Sequence, residues 1–320
     1  MSETDDSSIT NWLNPEIQNI YASIVIFLLS ISGCIFNILA GIVVLKNPIL
    51  KNAFGALCFS HIIANFGALF IFLSWATPTT IMQYKYTDLT FGKILGQINI
   101  LFWNASCYSH LVISLNRFLT ISMPTKVTQL FDYRNTCFII SFVWMMAVFH
   151  IIPYFWRDTC YIAYDPVSWR WVFATTPCGN AISTYSDCYT SVTIFVVMSS
   201  LDIFTFIMLV LYRRRSQLVS TESSNRKRRV EIRFFTQSCL QGVLFFSVIF
   251  NFYYVSYLNS NQWFVFMTCT FAWELCHCLD GLIIVIFHFK RSLLQTSSEA
   301  TMVFSKASEA KTSNKSTKKN

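Results

Sequence analysis

The sequence predicts an all-α membrane protein built as a bundle of seven transmembrane helices. Three observations carry this. Only 12% of the 320 residues are charged while 54% are hydrophobic, at a mean hydropathy of +0.47; a soluble domain carries about 25% charged residues. The apolar residues fall in blocks long enough to cross a bilayer. The Lys and Arg residues collect on one side of those blocks.

The stretch that organises the rest runs from Ile94 to Pro124 and ends in Leu115, Asn116, Arg117 and Phe118. An arginine at the end of a membrane-length helix either snorkels to water or sits in a protein-lined crevice. The seven spans are expected at roughly 20–45, 54–78, 94–122, 136–156, 187–212, 233–258 and 263–288. Pro78 is read as the stop of the second span, and residues 258–262 as a polar turn between the last two. Residues 1–19 are expected outside, 20–292 as the helical domain with a short interfacial helix after Phe287, and 293–320 as a disordered cytoplasmic tail. The acidic, polar start carries no cleavable signal peptide, so the first span is expected to target the chain.

With the N-terminus outside, twenty of the Lys and Arg residues face the cytoplasm. Only Lys85, Lys93, Arg157 and Arg170 face the other way. This bias fixes the expected orientation in the plasma membrane. The basic runs then read as a face for lipid and partners, not as a nucleic-acid site. Residues 213–233 hold two basic clusters around Ser220, Thr221, Ser223 and Ser224, a loop that phosphorylation would loosen from an anionic leaflet.

Between spans four and five, residues 160–164 and 169–173 alternate around Asp165, Pro166, Val167 and Ser168, which predicts a β-hairpin. Cys160 and Cys178 lie outside the cell in this topology, so a disulfide is allowed, with Cys188 as the competing partner. The other eight of eleven cysteines are expected as small buried hydrophobes.

Five features stand in order along about residues 18–292: Gly33 to Asn37; the run from Asn52 to Asn65; Leu115 to Phe118 followed by Pro124; Trp144 with Pro153; and Thr176, Pro177, Cys178 and Gly179. In these the chain resembles the seven-helix G-protein-coupled receptors of rhodopsin-like architecture, and among them the nematode serpentine chemoreceptors of class x (Srx). The resemblance implies a receptor for a small molecule that signals to a heterotrimeric G protein, in the plasma membrane and, by that kinship, in sensory cilia. The departures are specific. The acid usually before the arginine is Asn116, the usual aspartate of span two is Asn65, and span six lacks its central proline. Span seven has Asp280 and Gly281 where Asn-Pro is usual, with Ile284 in place of the tyrosine. No cysteine lies near Gly92, so Cys160–Cys178 would close the outer loop on itself.

The resemblance implies that Arg117 is the G-protein switch, with Glu231 at the inner end of span six as its resting partner, since Asn116 cannot pair with it. It implies also that Asn37, Asn65 and Ser106 face Asp280 in a hydrated polar cluster that repacks on activation, with Na⁺ as a candidate occupant. Glu274 lies about 9 Å above Asp280 along a helix, at the depth where such receptors bind ligands. Asn99, Trp103, Asn104, Asn251, Tyr254, Tyr257, Thr270 and Trp273 are expected around it, forming a carboxylate site with aromatic walls. The bland alternative bonds a protonated Glu274 to Asn99, and His277 is read as a hydrogen-bond partner. No metal-ligand spacing shares one face, and no cofactor or enzyme motif is present, so neither metal, cofactor nor catalysis is expected. The rival readings are a seven-span transporter or channel, and a peptide-binding receptor of the same fold.

Overall fold

In the computed structural model, residues 14–83, 90–216 and 222–288 are described. Seven long helices run through them: α1 Pro15–Lys46, α2 Ala53–Met82, α3 Thr90–Ser122, α4 Tyr133–His150, α5 Pro177–Leu211, α6 Glu222–Tyr253 and α7 Gln262–His288. The starts follow from local chemistry. Asn14, Asn52, Asp132, Thr176 and Asn261 each cap a helix by accepting from a backbone N–H two or three residues on. The predicted interfacial helix beyond His288, the tail, residues 1–13, and Lys85, Ser220 and Thr221 lie outside the described residues, as do the side chains of residues 212–228.

Packing is inside-out, as expected where lipid is the solvent. On α1 the buried face is Ala22, Ser23, Ser30, Gly33, Cys34, Asn37 and Ala40, whereas Ile24, Phe27, Leu28, Ile35, Ile38 and Leu45 point outward. On α5 the outward set includes Val196, Ile203, Phe204, Phe206 and Ile207. Small residues between helices and large apolar ones outside are what helix association in a bilayer selects.

Five of these helices are long and apolar enough to cross a membrane, and α3 and α4 fall short. For α3 the reason is position. It packs on α2, α4, α5 and α6, so it faces protein and carries a buried polar set including Gln97, Asn99, Asn104, His110 and Arg117. The 18 residues of α4 begin with the polar Tyr133, Arg134 and Asn135.

The structure corrects several boundaries. Pro78 does not end α2. A π-helical turn at Phe72–Ala76 widens the helix before Pro78, which sits near the N-terminus of a new α-helical segment, Thr77–Met82, where its missing N–H costs nothing. Helix α5 starts ten residues before the expected 187, with a π-helical stretch at Ile182–Tyr189. Helix α6 begins well before 233 and ends at Tyr253. Among the cysteines in the spans, Cys137 is exposed on α4.

Strands β1 Ile162–Asp165 and β2 Arg170–Phe173 pair antiparallel, with Ala163 opposite Val172. The Asp165 carboxylate accepts from the backbone N–H groups of Val167 and Ser168 and shapes the turn. Cys160 and Cys178 are disulfide-bonded, 5.2 Å apart at Cα, and Cys188 is free. The bond closes the hairpin segment on itself. The hairpin is held to α3 by backbone contact instead: a Cβ on Gly96 would stand 1.9 Å from the Ile162 carbonyl oxygen.

Candidate functional site

The hairpin does more than cover the bundle. Trp169, Trp171 and Tyr164 are among the largest fully buried side chains. Trp169 holds a left-handed backbone conformation at φ 51°, a strain of about 1–3 kcal/mol for a non-glycine residue. Its contacts offset this: its ring meets Trp263 and Phe266, its Nε1 donates to Asn19, and its carbonyl accepts from Thr270 Oγ1 at 2.6 Å. Tyr164 shares a 2.7 Å hydrogen bond with Thr80, and burial pushes its hydroxyl well above the ordinary range.

Beneath the hairpin lies a cavity of about 20 Å³, lined by Trp103, Asp187, Phe252, Tyr253, Trp273 and neighbouring apolar residues. That is room for about one water. Two buried polar atoms on its walls, Asp187 Oδ1 and Trp103 Nε1, complete no hydrogen bond of full geometry among the described residues, although the Trp103 N–H is near enough to the Asp187 carboxylate to interact with it. Asp187 Oδ2 accepts from Tyr253 Oη at 2.5 Å. A wider, more open cleft of about 470 Å³ lies at the mouth between the hairpin turn and the α6–α7 turn, lined in part by Arg170, Tyr257 and Gln262.

Trp273 is also the first link of a buried hydrogen-bond chain whose polarity can be worked out atom by atom. An indole nitrogen only donates, so Trp273 Nε1–H gives to His277 Nε2 at 3.0 Å. That fixes the His277 proton on Nδ1, which gives to Asn65 Oδ1 at 2.7 Å. Ser106 Oγ lies 3.2 Å from Asn65 Oδ1 and 3.3 Å from His61 Nδ1, and its single hydrogen serves one of the two. The Asn65 amide nitrogen therefore faces Asp280 Oδ2 at 3.3 Å and His61 Nε2 at 3.0 Å. His61 and His110 approach the same carboxylate oxygen at 3.0 and 3.4 Å. All of these groups are buried.

At the other end, Arg117 is 3% exposed. It does not snorkel. Its Nη1 donates to Glu231 of α6 at 2.9 Å and its Nη2 to Asn116 Oδ1 at 2.6 Å. The guanidinium lies over the rings of Phe54 and Phe234, 4.1 and 5.1 Å from their centroids. Such stacking suits a weakly hydrated planar cation. Asn116 is thus a hydrogen-bond partner of Arg117 after all, since an amide oxygen accepts from a guanidinium without carrying charge.

The expected residues divide. Trp103 and Trp273 line the cavity; Arg117, Asn116 and Glu231 meet; Asn65 and Ser106 belong to the Asp280 cluster. Asn37 does not face Asp280. Its amide donates to the carbonyls of Gly33 and His277, made possible by Gly281, where any Cβ would stand 2.8 Å from that amide. Glu274 bonds Ser30 of α1 at 2.7 Å and not Asn99, whose two side-chain polar atoms have no partner among the described residues. Asn104 donates to Ile100 of its own helix, and Asn251 to Ser247. Tyr254 and Tyr257 are 58% and 78% exposed, because the inward face of α6 is Val248, Ile249, Phe252 and Tyr253. Thr270 holds the hairpin.

Three functional candidates escaped the sequence reading. Asp187 stands at the expected start of the fifth span with no role of its own, and the π-helical stretch turns it inward. His61 stands four residues from Asn65, a spacing that puts both on one helix face, so a signal existed. His110 gave none. Donor atoms of His61, His110 and Asp280, from three helices, lie within 4.8 Å of one another, a gathering that ligand spacing along one helix does not register.

Comparison with known proteins agrees with this geometry. The family model for the serpentine type seven-helix G-protein-coupled chemoreceptor Srx matches residues 27–288. Serpentine receptor class X 45 of Caenorhabditis elegans is 28% identical over 312 residues, covering 88% of this chain and 83% of that protein. Serpentine receptor class X-43 of the same organism is 25% identical over 259 residues, covering 77% of each. The crystal structure of squid rhodopsin superposes with a TM-score of 0.70 at 15% identity, covering 90% of this chain and 87% of that one, a likeness of fold.

Proposed function

The chain belongs to the Srx family of serpentine seven-helix G-protein-coupled chemoreceptors, and on that footing we propose that it binds a small molecule beneath the hairpin and activates a heterotrimeric G protein at the Arg117 end. The hairpin end then faces outside and the Arg117 end the cytoplasm, in the plasma membrane. The observation that carries this reading is that one side chain, Trp273, is both a wall of the cavity and the donor that sets the polarity of the buried chain to Asp280. A ligand that shifts this indole changes the hydrogen bonding of α2, α3 and α7 together. That is a coupling between a binding site and the packing of the bundle.

The ligand class follows from these two groups. The Asp187 carboxylate and the Trp103 N–H meet each other only loosely, so a molecule that separates them finds one acceptor and one donor between aromatic walls. A compact molecule with an amine or hydroxyl and one acceptor fits this chemistry. Its entry displaces part of the hairpin or α6, because the present space holds about one water. The peptide-receptor alternative is favoured by the mouth cleft near Arg170, and the transporter alternative by nothing in the hydrogen-bond pattern.

The test is a small-molecule panel on the full chain in membranes, read as ligand-dependent nucleotide exchange on a Gα subunit. Asp187→Asn is expected to weaken an active amine at least tenfold. Trp273→Phe keeps the wall and removes the donor, so affinity is expected to hold within about threefold while the maximal response changes. A Trp273→Phe receptor with wild-type response would break the proposed link, and accumulation of substrate in vesicles would favour transport.

A further inference from the structure

We propose that His61, His110 and Asp280 form a binding site for one divalent transition-metal ion of the zinc class, which ties α2, α3 and α7 together.

The hydrogen-bond polarity leads here. In the arrangement where Ser106 donates to Asn65, His61 carries its proton on Nδ1, and Asn65 donates its amide hydrogens to His61 Nε2 and Asp280 Oδ2. His61 Nε2 and Asp280 Oδ2 then present lone pairs to each other across 3.0 Å. Protonating Nε2 instead sets it against an Asn65 hydrogen. A cation between nitrogen and oxygen satisfies both at once. Asp280 Oδ1, also buried, has no partner among the described residues, which leaves the carboxylate a further lone pair for an ion.

The distances suit this ion. Zinc binds imidazole nitrogen and carboxylate oxygen at about 2.0–2.2 Å, so neighbouring ligand atoms of a tetrahedron stand about 3.3–3.5 Å apart. Asp280 Oδ2 is 3.0 Å from His61 Nε2 and 3.4 Å from His110 Nε2, and all three ligand atoms fall within 4.8 Å. The ring centroids of the two histidines are 4.2 Å apart. The outer support is in place as well, since His61 Nδ1–H is held by Ser106 and the carboxylate by Asn65. Such partners fix ring tautomer and orientation at metal sites. Two imidazoles and one carboxylate select a borderline transition ion over Na⁺, Ca²⁺ or Mg²⁺, which prefer all-oxygen shells. With three protein ligands, a fourth position remains for water.

The ion bridges three helices that contribute to the same buried chain, so its presence holds their present packing. Anything that binds the folded state alone raises its stability by mass action.

The experiment uses the purified full chain in nanodiscs, stripped with EDTA and titrated with Zn²⁺ and then Co²⁺. One equivalent of Zn²⁺ is expected to bind and raise the melting temperature. Co²⁺ is expected to give visible absorption bands without the near-ultraviolet band of thiolate ligation. His110→Gln and His61→Gln are each expected to lower Zn²⁺ affinity at least tenfold and abolish the melting shift. A folded wild-type chain that binds no stoichiometric Zn²⁺ overturns the proposal. So does equal binding in a folded His110→Gln chain, a thiolate band with Co²⁺, or stabilisation by Na⁺ in place of Zn²⁺. If neither variant folds, the wild-type stoichiometry and Co²⁺ spectrum decide.

Discussion

Replacing Glu231 with Gln raises ligand-independent G-protein activation. The pair Arg117–Glu231 joins α3 to α6 at 2.9 Å, with the arginine almost fully enclosed and the glutamate 31% exposed. Gln keeps an oxygen for the guanidinium and loses the charge that balances it. A buried charge stripped of its counter-ion is costly, so the resting arrangement loses stability relative to any arrangement that hydrates Arg117 or offers it a partner. A difference of about 1–3 kcal/mol shifts such an equilibrium roughly 5–150-fold. Basal nucleotide exchange is the readout, normalised to surface expression. Arg117→Ala takes the opposite course, with exchange lost at normal expression. Unchanged basal exchange in Glu231→Gln would show that the pair is structural.

Replacing Gly96 with Val prevents the receptor from reaching the cell surface. The hairpin backbone runs so close to α3 that a Cβ at this position meets the Ile162 carbonyl oxygen at 1.9 Å and its carbon at 2.8 Å. These are backbone atoms, so no rotamer change relieves the clash; the strand must move. Moving it shifts Trp169, Trp171 and Tyr164, which fill the bundle's mouth, and overpacking of this kind costs about 1–3 kcal/mol or more. Gly41→Ala is the control, because its added Cβ meets Phe59 at an ordinary 3.6 Å. Surface labelling and detergent melting temperature compare the two. A Gly96→Val chain that melts like Gly41→Ala would mean that the hairpin is loosely seated.

The seven spans and the hairpin were legible because each rests on a local or one-dimensional signal, and the meeting of Arg117 with Glu231 because the family resemblance implied it. Apolar length marks a span, and alternation around Asp165 and Pro166 marks a hairpin. The rotation of each helix was not legible. In a soluble protein an amphipathic stripe tells which face turns inward, but lipid is as apolar as the core, so α6 carries no such stripe in its outer half. That is why Tyr254 and Tyr257 were expected inside and Tyr253 proved to be the inward residue. The π-helical stretch at Ile182–Tyr189 adds residues per turn, which local spacing on a 3.6 period does not register, and it brings Asp187 to the cavity.

What the sequence determined by itself was the number and course of the helices and the residue types available to each. What only the tertiary structure decided was which of them meet: Asp187 and not Glu274 at the cavity, His61 and His110 on Asp280, and the hairpin's own tryptophans in the mouth. Those meetings join residues from separate helices, and no periodicity along one chain encodes the rotation and depth at which two helices pack.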